Sequence, residues 1–238
     1  MTRPLPVKKI PWDTVAFGFD CYEIEAADIA AAQITTASLI AATRLPGHYS
    51  LKITTTAPAH LDTALRSALH GAGFYYCDTL ITPYCAASQF HAFPHTEVSL
   101  AQTVNEVELL AICHGAFTHG RFHRDFNIAK NLADSRYDNW LKQLIKSHAV
   151  TGLQYGGEAA GFIAHQGAAL VLHAVAEKFR GRGLAKYLWM PLCQKLFEDG
   201  YAEITSSVSA ANLGAVNLYA SLGFRFRRAV ECYHRVTP

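Results

Sequence analysis

The sequence predicts a mixed α/β protein in two parts, a smaller leading part and a larger one behind it. Three observations carry this. The first 85 residues alternate β-branched runs with helical spacing, three short strands with glycine turns lie between 150 and 176, and the last of them passes through a glycine-rich turn straight into a helix. At 238 residues, half of them hydrophobic, the chain can bury one large core or two modest ones. Two domains are expected, at 1–85 and 97–238, with the aperiodic stretch 86–96 as their linker.

In the leading part, Cys21 to Glu25 reads as a strand and Ala27 to Ala41 as an alanine-rich helix that stops at Pro46-Gly47. Ser50 to Thr56 is a second strand. Pro58 sits where a helix can start, Ala59 to His70 carries Leu61, Leu65 and Leu69 at four-residue spacing, and Gly71-Ala72-Gly73 ends it before a strand at Phe74 to Tyr84. The order is βαβαβ. In the larger part, Thr103 with Glu106 suggests a capping box for a helix through His114. A polar loop at Thr118 to Asn127 precedes a second helix at Ile128 to Lys146. Strands at Val150 to Tyr155, Ala160 to His165 and Ala169 to Ala176 are separated by turns at Gly156-Gly157 and Gln166-Gly167, which predicts an antiparallel meander. A helix to about Asp199, a strand at Glu203 to Val208, a helix at Leu213 to Leu222 and two final strands complete the chain. Pro191, inside the first of these helices, removes a backbone bond to Tyr187 and is expected to kink it. Helix, Gly73-Phe74, strand also echoes helix, Gly223-Phe224, strand, so the leading part reads as a degenerate partial copy of the larger one, with Leu69 where Tyr219 stands.

Composition narrows the partners. A net charge of +2 from 21 basic and 19 acidic residues gives no broad basic surface for nucleic acid, so a small molecule is favoured. The first residues lack an apolar leader segment and no apolar run approaches about 18 residues, so a cytoplasmic protein without membrane insertion is expected. Cys21, Cys77, Cys85, Cys113, Cys193 and Cys232 form no C-x-x-C pair and read as reduced, buried thiols.

The segment LHAVAEKFRGRGLA, Leu172 to Ala185, is the most informative. Small residues let the backbone approach a ligand, and the free N–H groups and positive dipole end of the following helix form a cradle for a pyrophosphate. The spacing is neither that of a P-loop nor G-x-G-x-x-G. It resembles the donor-binding pattern of the GNAT acetyltransferase family, Gln or Arg-x-x-Gly-x-Gly or Ala, at Arg180, Gly183 and Ala185. The resemblance runs from about Thr96 to the C-terminus and includes the meander, Asn212 in a strand-to-helix turn, and Tyr219 within NLYASLGF. It implies a GNAT fold, with a smaller GNAT-like part before it, and acetyl-CoA as cosubstrate. It further implies that Arg180, Gly181, Arg182, Gly183, Leu184 and Ala185 hold the CoA pyrophosphate, that Ala174, Val175 and Ala176 pair with the pantetheine arm, that an amide near Val175 polarises the thioester, and that Asn212 lies at the donor site. Lys178, Arg182 and Lys186 stand near enough in sequence to meet CoA phosphates.

The family chemistry is direct transfer, in which an amine attacks the thioester and CoA thiolate departs. A phenol beside the sulfur can protonate it, and Tyr219 is the candidate acid. For the base, His173, His119, His123 and Asp125 are all open candidates, His173 being in the strand beside the expected acetyl position. His114, His119 and His123 lack a carboxylate or cysteine ligand pattern, and no metal is expected. The loop GRFHRDFNIAKNLADSRYDNWL and the opening PWDTVAFGFDCYEI resemble the TDP-fucosamine acetyltransferase group, which implies a nucleotide-linked 4-amino-4,6-dideoxy sugar as acceptor. Arg121, His123 and Asp125 match that group's Arg-Phe-His-x-Asp pattern, while Phe126 stands where proline is usual. Arginines suit phosphate and Asp125 suits a hydroxyl or amine. Another small amine as acceptor, or a non-catalytic CoA-binding domain, are the alternatives, and a homodimer is compatible with the resemblance.

Overall fold

A computed structural model describes residues 5–26, 33–54 and 59–238, without the side chains of 59–62. In chain order the leading elements are β1 (Val7–Lys9), α1 (Pro11–Phe17), β2 (Cys21–Ile24), α2 (Thr36–Ala42), β3 (Gly47–Thr54), α3 (Ala59–Gly71) and β4 (Tyr75–Ala86). Then follow β5 (Val98–Leu100), α4 (Glu106–Cys113), α5 (Lys130–Lys146), β6 (Val150–Tyr155), β7 (Glu158–Gln166), β8 (Ala169–Val175), α6 (Ala185–Glu198), β9 (Glu203–Ser206), β10 (Val208–Ser209), α7 (Leu213–Ser221) and β11 (Arg225–Thr237). The fold is mixed α/β, as expected. The start of the helix expected from Ala27, the end of the strand expected to Thr56, and Pro58 lie outside the described residues.

The chain forms two compact units, residues 1–80, 119–136 and 228–238 in one and 81–118 and 137–227 in the other. Their boundaries fall inside β4, α5 and β11. Residues 86–96, read from sequence as a linker, belong to the second unit, where the N–H of His91 donates to the carbonyl of Leu222 at 3.0 Å.

In the first unit the strand order is β1-β2-β3-β11-β4, with β2 parallel to β3 and β11 antiparallel to it. Its core joins Tyr22, Ile24, Leu39, Tyr49, Leu51, Leu69, Phe74 and Tyr233, and a smaller cluster joins Phe17, Cys21, Phe122, Ile128 and Ala133. Sequence reading assigned no element before Cys21; Pro11 starts α1, where its missing N–H costs nothing.

In the second unit the order is β4-β9-β8-β7-β6-β5, with β10 on β4. The antiparallel meander β6-β7-β8 has its predicted glycine turns, Gly156 and Gly157 at φ of 58° and 80°. One face packs on α6 and α7 through Ile163, Leu170, Leu188, Trp189, Leu192 and Leu222; the other packs on α4 and α5 through Leu109, Leu141, Leu144, Phe162 and Leu172. Asn105, not Thr103, caps α4, accepting from the N–H groups of Val107 and Glu108. The two strands expected at the C-terminus are one 13-residue strand, β11, in which Arg228 adopts φ of 54°, a local irregularity rather than a full turn. Helix α6 runs unbroken through Pro191. All six cysteines are buried thiols. Among the described residues no helix is long and apolar enough to cross a membrane.

The internal echo has matching local geometry. After α3, the N–H of Phe74 donates to Leu69 at 2.9 Å with Gly73 at φ 78°; after α7, the N–H of Phe224 donates to Tyr219 at 3.0 Å with Gly223 at φ 88°. Both glycines take the left-handed conformation that ends a helix. They differ in surroundings: a Cβ on Gly223 would lie 2.0 Å from the Gln89 carbonyl oxygen, whereas on Gly73 it would come no nearer than 3.9 Å to Arg235. Gly73→Ala should therefore cost about 1–2 kcal/mol, the left-handed penalty alone, and Gly223→Ala clearly more. Urea midpoints check this, and equal losses would contradict it.

Candidate active site

In the second unit the candidate site starts from how β8 is paired. β8 is bonded to β7 over its whole length but to β9 only at Ala169↔Thr205 and Leu170↔Ser206. From Leu172 onward its edge on the β9 side has no strand partner among the described residues. The N–H of Ala176 donates to Ala160 across to β7 at 2.8 Å, so by alternation the Val175 N–H points to the open edge. Beyond Ala176 the chain makes a 3₁₀ turn at Glu177–Phe179, then passes Gly181 and Gly183, both at φ 70°, into α6. Only glycine holds that conformation without strain. Both are exposed, and a Cβ on either would meet no atom within 4 Å, so the space above the turn is open. Leu184 precedes α6 with no side-chain cap, which leaves the first-turn N–H groups for a ligand.

Arg180 fixes the turn to the strand by donating from Nε to the Val175 carbonyl at 2.8 Å. Lys178 pairs with Glu158. Arg182 lies 5.7 Å over the Phe179 ring and Lys186 lies 4.5 Å over Phe93. Asn212 caps α7, its Oδ1 accepting from the Ala215 N–H at 3.1 Å. A cavity of about 1280 Å³ reaches Ala176, Lys178 and Arg180 from the side of α4, with Asn105, Glu108 and Gly161 also in its wall.

Tyr219 and His173 meet. The Tyr219 hydroxyl lies 2.9 Å from His173 Nε2, the two rings cross at 65°, and Trp189 closes over the imidazole with centroids 5.2 Å apart. Tyr219 is fully buried, with Phe224 against its ring. Burial raises the Tyr219 phenol above its ordinary range and pushes the His173 imidazole down to about 4. At neutral pH the pair is therefore a protonated phenol and a neutral imidazole.

The first unit holds Arg121, His123 and Asp125 in the loop before α5, and turns most of them inward. Asp125 is buried, with Oδ2 at 2.8 Å from His48 Nε2 and 2.7 Å from His234 Nδ1. Its Oδ1 accepts from Tyr75 Oη at 3.0 Å and from the Asn127 N–H at 2.8 Å. Burial works to raise this carboxyl, but the hydrogen bonds from His234 and His48 outweigh it and hold Asp125 below the usual carboxylate range. Burial likewise pushes His234 down to about 4, against the pull of Asp125. An ionised Asp125 accepts only, so both imidazoles donate to it. The ligand-capable atoms of His48, Asp125 and His234 lie within 4.8 Å of one another, and hydrogen bonding among them accounts for that placement. His123 bonds Asp134 at 2.8 Å, and the Arg121 guanidinium lies 4.5 Å over Phe122. Sequence reading found Asp125 but missed His48 and His234, which come from β3 and β11 and carry no local signal.

Residues 118–224 match the family model described as the acetyltransferase (GNAT) family. That segment, a little under half of the chain, is similar to the GNAT acetyltransferase family. A GCN5-related N-acetyltransferase from Sphaerobacter thermophilus has a similar fold, with a TM-score of 0.65 and 12% identity over 97% of this chain and 76% of that one. A tandem GNAT protein from the clavulanic acid biosynthesis pathway is similar with a TM-score of 0.54 and 12% identity, over 92% of this chain and 76% of that one. At such identity these are likenesses of fold. Among curated proteins, the spore coat polysaccharide biosynthesis protein SpsD of Bacillus subtilis is 25% identical over 52% of this chain. The aligned part spans 46% of that relative's own length.

Two outcomes follow from these buried groups. Asp125→Ala would leave two buried imidazoles without their shared acceptor and should cost about 3–5 kcal/mol, the scale for breaking a buried pair, read from urea unfolding; a loss under 1 kcal/mol would contradict the cluster's role. For His173 and His234 the folded value, about 4, lies below the ordinary 6.5. The unfolded chain then binds more protons between those values, so stability is full above about pH 6.5 and falls as the pH drops toward 4. Melting temperatures across that window should decline with acidity.

Proposed function

We propose that the protein is an acetyl-CoA-dependent N-acetyltransferase whose acceptor is a nucleotide-linked amino sugar. The observation that carries the first half is the open edge of β8 leading into the glycine turn before α6. In this reading the N–H groups from Gly181 to Ala185 bind the CoA pyrophosphate, the edge at Ala174, Val175 and Ala176 pairs with the pantetheine arm, and the Val175 N–H donates to the thioester oxygen. Asn212, already a helix cap, lies at the second strand-to-helix turn of the same unit.

The amine lone pair attacks the thioester carbon, a C–N bond forms, and collapse of the tetrahedral intermediate breaks the C–S bond. Tyr219 gives its proton to the departing sulfur. His173, as the neutral tautomer protonated at Nε2, donates to the Tyr219 oxygen, leaves the phenol proton free to face the sulfur, and stabilises the phenolate until it is reprotonated. The ammonium product loses its extra proton to solvent or to a base of the acceptor site.

The acceptor half rests on the loop that carries Arg121, His123, Asp125 and Phe126, on its likeness to TDP-fucosamine acetyltransferases, and on the partial match to SpsD, a polysaccharide biosynthesis protein. The segment 97–238 then carries donor chemistry. The leading part, with its matching helix stop at Gly73 and no glycine-rich turn, is a degenerate GNAT-like partner.

Tyr219→Phe should lower kcat about 100-fold, since general acids contribute on that scale, with a fall of a few degrees in melting temperature at most from the lost bond to His173 Nε2. Unchanged turnover where chemistry limits the rate would remove Tyr219 from the mechanism. Acetyl-CoA should raise the melting temperature of the wild type, and Gly183→Val should abolish that shift by filling the turn. Full protection of the variant would place the donor elsewhere.

A further inference from the structure

Trp189 carries a hydrogen-bond donor that the fold leaves unmet. The residue lies in the first turns of α6 and is 2% exposed, and its indole nitrogen is buried with no full hydrogen-bond partner among the described residues. An indole nitrogen can only donate. A buried donor without an acceptor destabilises a fold, and phenylalanine would fill the same core without one, so the N–H calls for a reason beyond packing.

The surroundings supply that reason. The Trp189 ring crosses His173 with centroids 5.2 Å apart, and His173 Nε2 lies 2.9 Å from the Tyr219 hydroxyl. The indole N–H acts as a donor on that same hydroxyl oxygen, short of full hydrogen-bond geometry. Ser206 also stands at this oxygen, but its hydroxyl proton goes to the Leu170 carbonyl at 2.8 Å. The indole and the imidazole are therefore the donors free to serve the phenol oxygen. Such help is needed. Burial holds Tyr219 above the ordinary phenol range, whereas a thiol titrates near about 8.5, so giving the proton to a departing thiolate runs uphill. A donor that meets the neutral phenol poorly and bonds fully to the phenolate acts only as the charge develops, which lowers the barrier without tightening the ground state.

We propose that Trp189 is a positioning residue for the acid, its indole N–H joining His173 in holding the Tyr219 oxygen as a phenolate. In this step the C–S bond gives its electron pair to sulfur, the Tyr219 O–H bond breaks, and the proton passes to that sulfur. The negative charge stays on the phenol oxygen until solvent returns a proton. This rests on the reading of Tyr219 as the acid and deepens it.

Site-specific Trp189→β-(3-benzothienyl)alanine removes the donor and keeps the bicyclic shape, and Trp189→Phe is its natural-residue counterpart. Thiol release from acetyl-CoA by the full chain is followed with TDP-linked 4-amino-4,6-dideoxygalactose as acceptor. It is followed separately with no amine, where water takes the acyl group and the same thiolate departs. Both variants should slow release about 10-fold with KM for acetyl-CoA unchanged, the scale of one hydrogen bond to a charged group. In a Tyr219→Phe background the same changes should have no further effect, because the oxygen they serve is gone. Equal losses in the two backgrounds mark a packing role and overturn the proposal. An unchanged rate in the benzothienyl variant, beside a slow Tyr219→Phe, sinks the proposal and leaves Tyr219 as the acid. Full turnover in Tyr219→Phe, or a wild type that releases no thiol in either assay, sinks the acid reading and the proposal together.

Discussion

The proposed donor chemistry depends on one interruption in a sheet. β8 leaves β9 after two paired residues, and the bonds it forgoes are the ones a ligand can take. A row of N–H and C=O groups would be costly to bury unpaired, so the gap persists only because it opens onto solvent and onto the turn at Gly181 and Gly183. That turn, in the left-handed conformation, delivers the chain into α6 with its first-turn N–H groups uncapped. Strand edge, turn and helix end thus form one continuous surface of donors in the second unit. Beneath it, Tyr219 and His173 are held by Trp189 and Phe224, so that a phenol kept protonated by burial stands on a neutral imidazole.

The first unit depends on a different constraint, a single buried carboxylate. Asp125 accepts from β3 through His48, from β11 through His234, from β4 through Tyr75 and from its own loop through Asn127. Four segments far apart in sequence converge on two oxygens. The energetic consequence is that the loop before α5 has no freedom to rearrange around Asp125.

Much of the second unit was legible because its signals are local. Glycine pairs mark the meander turns, a glycine after a helical run marks each helix stop, and the run from Arg180 to Ala185 marks the turn into α6. The fusion of two expected C-terminal strands into β11 was missed although Arg225 to Thr237 carries no glycine, proline, asparagine or aspartate to mark a turn. The division into units was also hidden. Residues 119–136 and 228–238 join the leading part through Asp125, His234 and Arg136, whose bond to Asp13 spans 123 positions. For the same reason the loop residues read as acceptor ligands were recognised by type but not by direction: the pattern Arg-Phe-His-x-Asp records which side chains are present, while only His48 and His234 reveal that the carboxylate faces inward.

The central claim is that the uncovered edge of β8 and the turn beyond it receive the acyl donor. Hydrogen–deuterium exchange with and without acetyl-CoA measures this directly, because each backbone amide that gains a partner exchanges more slowly. The account predicts selective protection at His173 to Lys186, including Val175, with residues 5–26 and 33–54 unchanged. Protection of the leading segments with no change between His173 and Lys186 would contradict it.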